Sequence, residues 1–318
     1  MKRFLSLIVS LAILAVIYWR IDVQGLARAF ANGDRFWLLI SLGMVIPLTG
    51  LTAWRLQILS PGRLAWGESN RLILAACTLN MVLPSKMGDI AKAYFMRDRV
   101  AQRERNRANL DGAQSLSLVV FEKACDLLSL LFWCAIGLLI YPRRDWLFAL
   151  MTFAVVGGLA IGLGAIASRR IALSAFQLAR QIVSGKKLDK LQTAWDAMHN
   201  HFWRDRLRLW RVASLSVFIW FLHLLQIWFF ILALNAWTPF LANLALAPLA
   251  ILAGLLPLTF AGVGTRDAAL ILFYQPYFNP ATAAALGLLC TSRYLLPAIA
   301  GLPFLGNYLS LIRREKHT

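Results

Sequence analysis

The sequence predicts an all-α protein, a polytopic integral membrane helix bundle with two re-entrant hairpins broken by Pro and Gly and related as an inverted repeat. Three observations predict it. The 318 residues are 59% hydrophobic and only 15% charged, with a mean hydropathy of +0.64. The basic residues fall unevenly between alternate loops. Two short stretches, NMVLPSKMGDIAKA at 80–93 and GLLPLTFAGVGTRDAA at 254–269, look like one device built twice.

Several apolar runs approach or exceed the ~20 residues that cross ~30 Å of hydrocarbon. In order they are 4–18, which is short, then 36–54, 113–141, 146–167 and 212–234. The stretches 241–256, 267–278 and 281–309 are also apolar, with Pro248, Pro257, Pro297 and Pro303 expected to interrupt them. Lys2 and Arg3 give the first run the look of a signal peptide. However, its small-x-small site at Ala29-Phe30-Ala31 lies too far on, past Arg20 and Asp22, so the reading is a retained helix. Residues 22–34 suit an interfacial helix with Leu26, Ala29 and Phe30 toward lipid. The chain therefore reads as one membrane domain over 1–318. Its first half covers about 1–141 with a hairpin at 71–96. A cytoplasmic amphipathic segment follows at 168–211, and the second half covers about 212–309 with a hairpin at 241–278. In the middle segment Phe176, Leu188, Trp195 and Phe202 recur at helical spacing among Lys and Arg. This suits helices on the inner leaflet, or equally a solvated linker.

Each hairpin stretch is an apolar run broken by Leu-Pro (Leu83-Pro84 and Leu256-Pro257), followed by small residues, Gly and an ionised pair. Proline deletes a helix hydrogen bond and glycine loosens the backbone. Inside a bilayer such a break survives only where protein covers it or it lines a wet cavity. Interrupted segments at matching places in two halves are the sequence mark of a transporter's substrate site. With the N-terminus cytoplasmic and both hairpins returning to the side they entered, 23 of the 33 Lys and Arg fall inside and 5 outside. That is the asymmetry the positive-inside rule requires. Arg55, Arg63 and Arg71 are counted among the inside group. Both termini are then cytoplasmic, the first hairpin opens inward and the second outward. The net charge of +18 follows from topology and from contact with anionic headgroups, and no recognition module for nucleic acid accompanies it.

Five cations remain in apolar segments: Lys86, Lys92, Lys123, Arg266 and Arg293. An ionised side chain at mid-membrane costs roughly 2.5–3.5 kcal/mol on insertion scales, so each needs a reason. Asp89 and Lys92 are three apart on one helix face, and Glu122 and Asp126 are four apart on another, with Lys123 adjacent. Two carboxylates on one face need a cation between them, for which Arg266 or Lys86 are the candidates. The group is either an internal ion-pair network locking the halves together, or a phosphate site whose cations bind a headgroup while the carboxylates hold them or exchange protons. Gly262 and Gly264 precede a helix start and would present backbone N–H groups to an anion. Asn80, just before the first break, would bind freed backbone or a headgroup.

These residues resemble a known family. Asn80, the LP-x(3)-GD of Leu83 to Asp89, the EKxxD of Glu122 to Asp126 and the LP-x(4)-G-x-G-x-RD-x-A of Leu256 to Ala269 are similar to the flippase-like lysylphosphatidylglycerol synthase transmembrane-domain family. The resemblance spans nearly the whole chain. It implies an all-helical membrane protein with re-entrant hairpins that moves lipid between leaflets. The family often has Arg where this chain has Lys92, and Glu where it has Asp267. Fused members carry a soluble domain that charges phosphatidylglycerol with lysine. This chain shows none up to Thr318, so aminoacyl transfer is not expected of it.

Other chemistry finds little support. No GxxxxGK[ST] loop is present for ATP. His199, His201, His223 and His317 lack metal-ligand spacing, and Cys77, Cys125, Cys134 and Cys290 all sit in apolar segments as packing residues. No cofactor is expected. The reading is a translocator of an anionic phospholipid or polyprenyl-linked phosphate, working by alternating access in the bacterial inner membrane. Arg266, Lys86 and Lys92 are its leading anion contacts. The alternative is an intramembrane lipid-modifying transferase or an accessory subunit of one. Expected partners are membrane lipids, with a second copy or a lipid-biosynthesis enzyme as protein partner.

Overall fold

The computed structural model describes residues 23–60, 64–82, 88–89, 91–93, 95–96, 112–141, 145–180, 188–189, 192–193, 195–196, 205–255 and 264–315. Among the described residues every regular element is a helix. In chain order they are α1 (Val23–Ala31), α2 (Arg35–Gly43), α3 (Val45–Leu59), α4 (Trp66–Val82), α5 (Gly112–Ile140), α6 (Trp146–Ala167), α7 (Arg169–Ala179), α8 (Arg206–Ala233), α9 (Phe240–Leu255), α10 (Thr265–Tyr274) and α11 (Pro280–Glu315). The described residues of 88–96 are also helical.

Among the described residues, five spans are long and apolar enough to cross a bilayer: Arg35–Leu59, which joins α2 and α3, then Ser115–Ile140, Trp146–Ala167, Arg206–Ala233 and Pro280–Gly306. The protein is an all-α polytopic membrane bundle. Its outer surface is what a lipid solvent requires. Phe36, Leu39, Ile46, Trp146, Phe153 and Trp210 are exposed, because apolar side chains meet no penalty against acyl chains.

Two buried clusters organise the bundle. One gathers Leu130, Cys134, Ile227, Phe230, Ala245, Ala250, Leu270, Tyr274 and Leu286 from α5, α8, α9, α10 and α11. The other gathers Ala53, Leu56, Leu72, Leu79, Phe95, Met96, Leu118, Phe121 and Val212 from α3, α4, the 88–96 stretch, α5 and α8. Helices distant in the chain pair closely. Helix α4 packs on α11, and α9 packs on α5. Small residues permit both approaches. A Cβ at Gly137 of α5 would land on the backbone of Leu244 and Ala245 in α9. One at Gly301 of α11 would land on the Leu74 carbonyl and the Thr78 hydroxyl of α4. Close contact through small side chains is how helices associate where lipid removes the hydrophobic drive between them.

The structure differs from the sequence expectations in four places. The first described span runs to Leu59 rather than residue 54, which puts Arg55 inside the bundle and takes it out of the cytoplasmic loop tally. Helix α1 forms, but Leu26 and Ala29 pack on the protein core while Phe30 stays exposed, so its apolar face is turned inward. Pro248 lies within α9, and Pro297 and Pro303 within α11, without ending either helix. Proline removes one donor, and neighbouring helices can compensate. Between the two α11 prolines, the Thr78 hydroxyl of α4 donates to the Ala298 carbonyl at 2.7 Å and ties the two helices together. Finally, the segment after α6 folds back on itself. Arg169 pairs with Asp196 at 3.1 Å and Arg180 with Asp189 at 2.9 Å, and Phe176 meets Trp195 edge-on. The breaks at Leu83-Pro84 and Leu256-Pro257, with Lys86 and Gly262, lie outside the described residues, as do His199 and His201.

Candidate functional site: an intramembrane ion network

Helix α5 carries Glu122, Lys123 and Asp126 along its length, and the neighbouring elements bring charges to meet them. Arg55 of α3 is 1% exposed and lies against both carboxylates. Its Nη1 reaches Asp126 Oδ1 at 2.6 Å and its Nη2 reaches Asp126 Oδ2 at 3.3 Å and Glu122 Oε1 at 3.0 Å. The Asp126 contact is therefore a two-point fork, which the planar guanidinium suits and an ammonium does not. Nη1 also donates to the Ser216 hydroxyl of α8 at 3.0 Å, and that hydroxyl donates to the Val212 carbonyl at 2.8 Å. The second Glu122 oxygen takes the Lys92 ammonium, so this carboxylate is held by two cations from two elements. Lys123 reaches Asp89 at 3.2 Å and Asp126 at 3.6 Å.

The network thus binds the 88–96 stretch, α3, α5 and α8 through three cations and three carboxylates. Its interior end is closed, with Arg55, Lys92 and Glu122 each 1% exposed. The Lys123 side chain, at the other end, is 43% exposed. Asn80 of α4 faces Gly88, where a Cβ would collide with it, and its Oδ1 is buried without a hydrogen-bond partner. Among the described residues no three His, Cys, Asp or Glu converge as a metal site.

A separate polar group forms where α10 meets α11. Gly264 precedes α10 with φ of 102°, a left-handed conformation that a side chain would strain. Asp267, at the third helical position, accepts from the Gly264 N–H at 3.1 Å and from Arg266 Nη2 at 2.7 Å. The negative charge at this positive helix end is thus supplied by the chain's own carboxylate. Arg266 Nη2 also donates to the Gly287 carbonyl at 3.0 Å and the Thr291 hydroxyl at 2.8 Å, fastening α10 to α11. Its described partners therefore lie within the second half, and the cation between Glu122 and Asp126 is Arg55. At the opposite end of α10, Tyr274 OH donates to Asn243 Oδ1 at 2.7 Å, while Asn243 Nδ2 donates to the Leu224 carbonyl at 3.0 Å. Arg293 of α11 is buried beside the Tyr294 ring.

Sequence reasoning grouped Asp89, Lys92, Glu122, Lys123 and Asp126, and the fold brings these five together. It missed Arg55, Ser216, Thr291 and the Asn243–Tyr274 pair. A signal for Arg55 was present: the residues after it, Leu56, Ile58 and Leu59, continue the apolar run, so this arginine sits inside a span rather than beyond one.

A bundle of membrane-spanning helices with carboxylates and cations paired in its interior defines a polytopic integral membrane protein with a built polar centre. The family model described as the lysylphosphatidylglycerol synthase TM region matches residues 3–301, and the chain belongs to that family. That membership ties it to membrane lipid. Among curated proteins none matches the chain.

Proposed function

We propose that the protein is a lipid translocator that moves an anionic phospholipid or lipid-linked phosphate between leaflets by alternating access. The observation that carries this reading is the exposure gradient along the ion network. Its inner end is closed, while Lys123 and Asp89 stand where a headgroup can reach them and its tails can stay in lipid. A phosphate that takes Lys123 frees Asp89 and loosens the tie between α5 and the 88–96 stretch, so headgroup binding and helix movement are coupled. Lys92 and Arg266, held by Glu122 and Asp267, are the next cations along the path, with Asn80, Asp126 and Gly264 at its edges. Lys86 and Gly262 belong to the same proposed path.

The hairpins are read as re-entrant and facing opposite sides. Helices α9 and α10, of 16 and 10 residues, rise only about 24 Å and 15 Å, short of the ~30 Å core. The Asn243–Tyr274 bond, which joins the start of α9 to the end of α10, supports their running antiparallel. With both termini cytoplasmic, in a bacterial inner membrane, a cysteine at Gly67 should be labelled from the inside and one at Gln275 from the outside. Both positions are exposed, and a side chain at Gly67 meets open space. Labelling of both from one face removes the inverted repeat.

The activity test uses proteoliposomes containing only this protein and a fluorescent phosphatidylglycerol in one leaflet. Quenching should report exchange between leaflets well above that of empty vesicles, and Lys123→Gln should slow it several-fold while leaving thermal stability within about 0.5 kcal/mol, as for a part-exposed pair. Exchange no faster than in empty vesicles, with lipid still bound, rejects the translocator and transfers the assignment to an accessory or transferase role.

A further inference from the structure

The described ionised groups of the polar centre do not balance. Arg55, Lys92, Lys123, Arg266 and Arg293 supply five positive charges, and Asp89, Glu122, Asp126 and Asp267 supply four negative ones. Four of the cations each touch a carboxylate. Arg293 is the exception. It is 5% exposed, its Nη2 donates to the Tyr294 hydroxyl at 2.8 Å, and its guanidinium lies 4.9 Å from the Tyr294 ring centre. Its Nε and Nη1 are buried with no hydrogen-bond partner among the described residues. A buried arginine with two idle N–H groups bears the full desolvation cost with little return. Cation–π contact recovers only part of it.

The surroundings of Arg293 are polar and unfinished. His223 of α8, which hydrogen-bonds Gln226, lies in the combined field of Arg293, Asp126 and Arg55, and its Nδ1 is buried without a partner among the described residues. One turn before Arg293 on α11, Gly287 and Thr291 already hold Arg266.

We propose that Arg293 anchors an intramembrane oxyanion site that takes one singly charged phosphodiester headgroup, with His223 beside it. A singly charged phosphodiester supplies one negative charge to the one described cation of the centre that touches no carboxylate. Phosphate oxygens also accept several hydrogen bonds at once, which is what two idle guanidinium nitrogens require. This deepens the translocator reading and rests on it for the role of the bound lipid, although binding itself is measured without transport.

The test is native mass spectrometry and thermal melting of the detergent-solubilised full chain. The probes are phosphatidylglycerol, diacylglycerol with the same tails and free glycerophosphoglycerol, the tail-free phosphodiester. Wild-type protein should retain one phosphatidylglycerol and melt higher with it, and should do neither with diacylglycerol. Arg293→Gln should weaken phosphatidylglycerol about tenfold or more, the loss of a hydrogen bond to a charged group. Without lipid it should melt no lower than wild type, because an uncompensated charge has been removed. Arg293→Lys, which keeps the charge and loses the planar donor set, should bind with intermediate strength and gives a folded comparison if the glutamine variant fails to fold. Unchanged phosphatidylglycerol binding in either variant overturns the site, as does a lipid-free melting drop in Arg293→Gln with affinity intact. Equal stabilisation by free glycerophosphoglycerol overturns the lipid assignment. Transport by wild type with binding independent of Arg293 sinks only this site. Binding that depends on Arg293 with no wild-type transport sinks only the translocator.

Discussion

Arg55→Met should be among the most damaging single substitutions in the protein, costing on the order of 3–5 kcal/mol or preventing assembly. It removes both points of the Asp126 fork, one of two cations on Glu122 and the Ser216 contact from α8. The carboxylates then stay in a low-dielectric interior with Lys92 and Lys123 alone to neutralise them. Arg55→Lys should fall between, since an ammonium cannot span Asp126 and Glu122 with the same geometry. The informative variant is the pair Arg55→Met with Asp126→Asn, which removes one charge of each sign. Its melting temperature should lie closer to wild type than that of Arg55→Met alone. Full additivity of the two single changes would mean that the fork contributes no coupling and that Arg55 matters for another reason.

Gly137→Leu should separate α9 from α5, and Gly301→Leu should separate α4 from α11. At Gly137 the obstruction is the Leu244–Ala245 backbone, and at Gly301 it is the Leu74 carbonyl. Neither can turn aside as a side-chain tip would, so the helices must move apart and lose packing along their length. Overpacking of this kind costs several kcal/mol, beyond the ~1–3 kcal/mol of a yielding core. The expected observation is aggregation or loss of the monodisperse peak in detergent. Gly157→Leu is the control, because a Cβ there meets nothing within 4 Å, and it should change the melting temperature little. Tolerance of leucine at Gly137 and Gly301 equal to that at Gly157 would show that this close helix packing contributes little.

The charges at 89, 92, 122, 123 and 126 were legible as one group because residues three and four apart on a helix share a face, and charges in apolar runs demand partners. Arg55 was not legible as their partner. Ion pairs of long sequence separation are fixed by which helices touch, and α3 meets α5 across 67 and 71 residues of chain. Arg266 was expected to serve Glu122 and Asp126 because its charge suited them, but α10 begins at its own capping carboxylate, and Asp267 takes the guanidinium first. The face of α1 went the same way. Its amphipathic spacing was readable, but spacing names an apolar face without saying whether lipid or protein covers it, and here Leu26 and Ala29 meet the core.

By itself the sequence determined the membrane class, the position of most spans and, Arg55 apart, most of the charges carried into the hydrocarbon. These are properties of local composition and helical period, and they need no knowledge of neighbours. Only the tertiary structure decided where the first described span ends, that α11 continues through Pro297 and Pro303, and that α4 lies on α11 and α9 on α5. It also decided which cation is left over. A buried charge is stabilised or stranded by the few atoms within hydrogen-bond reach, so Arg55 with its fork and Arg293 with two idle nitrogens could not be told apart until the helices were packed.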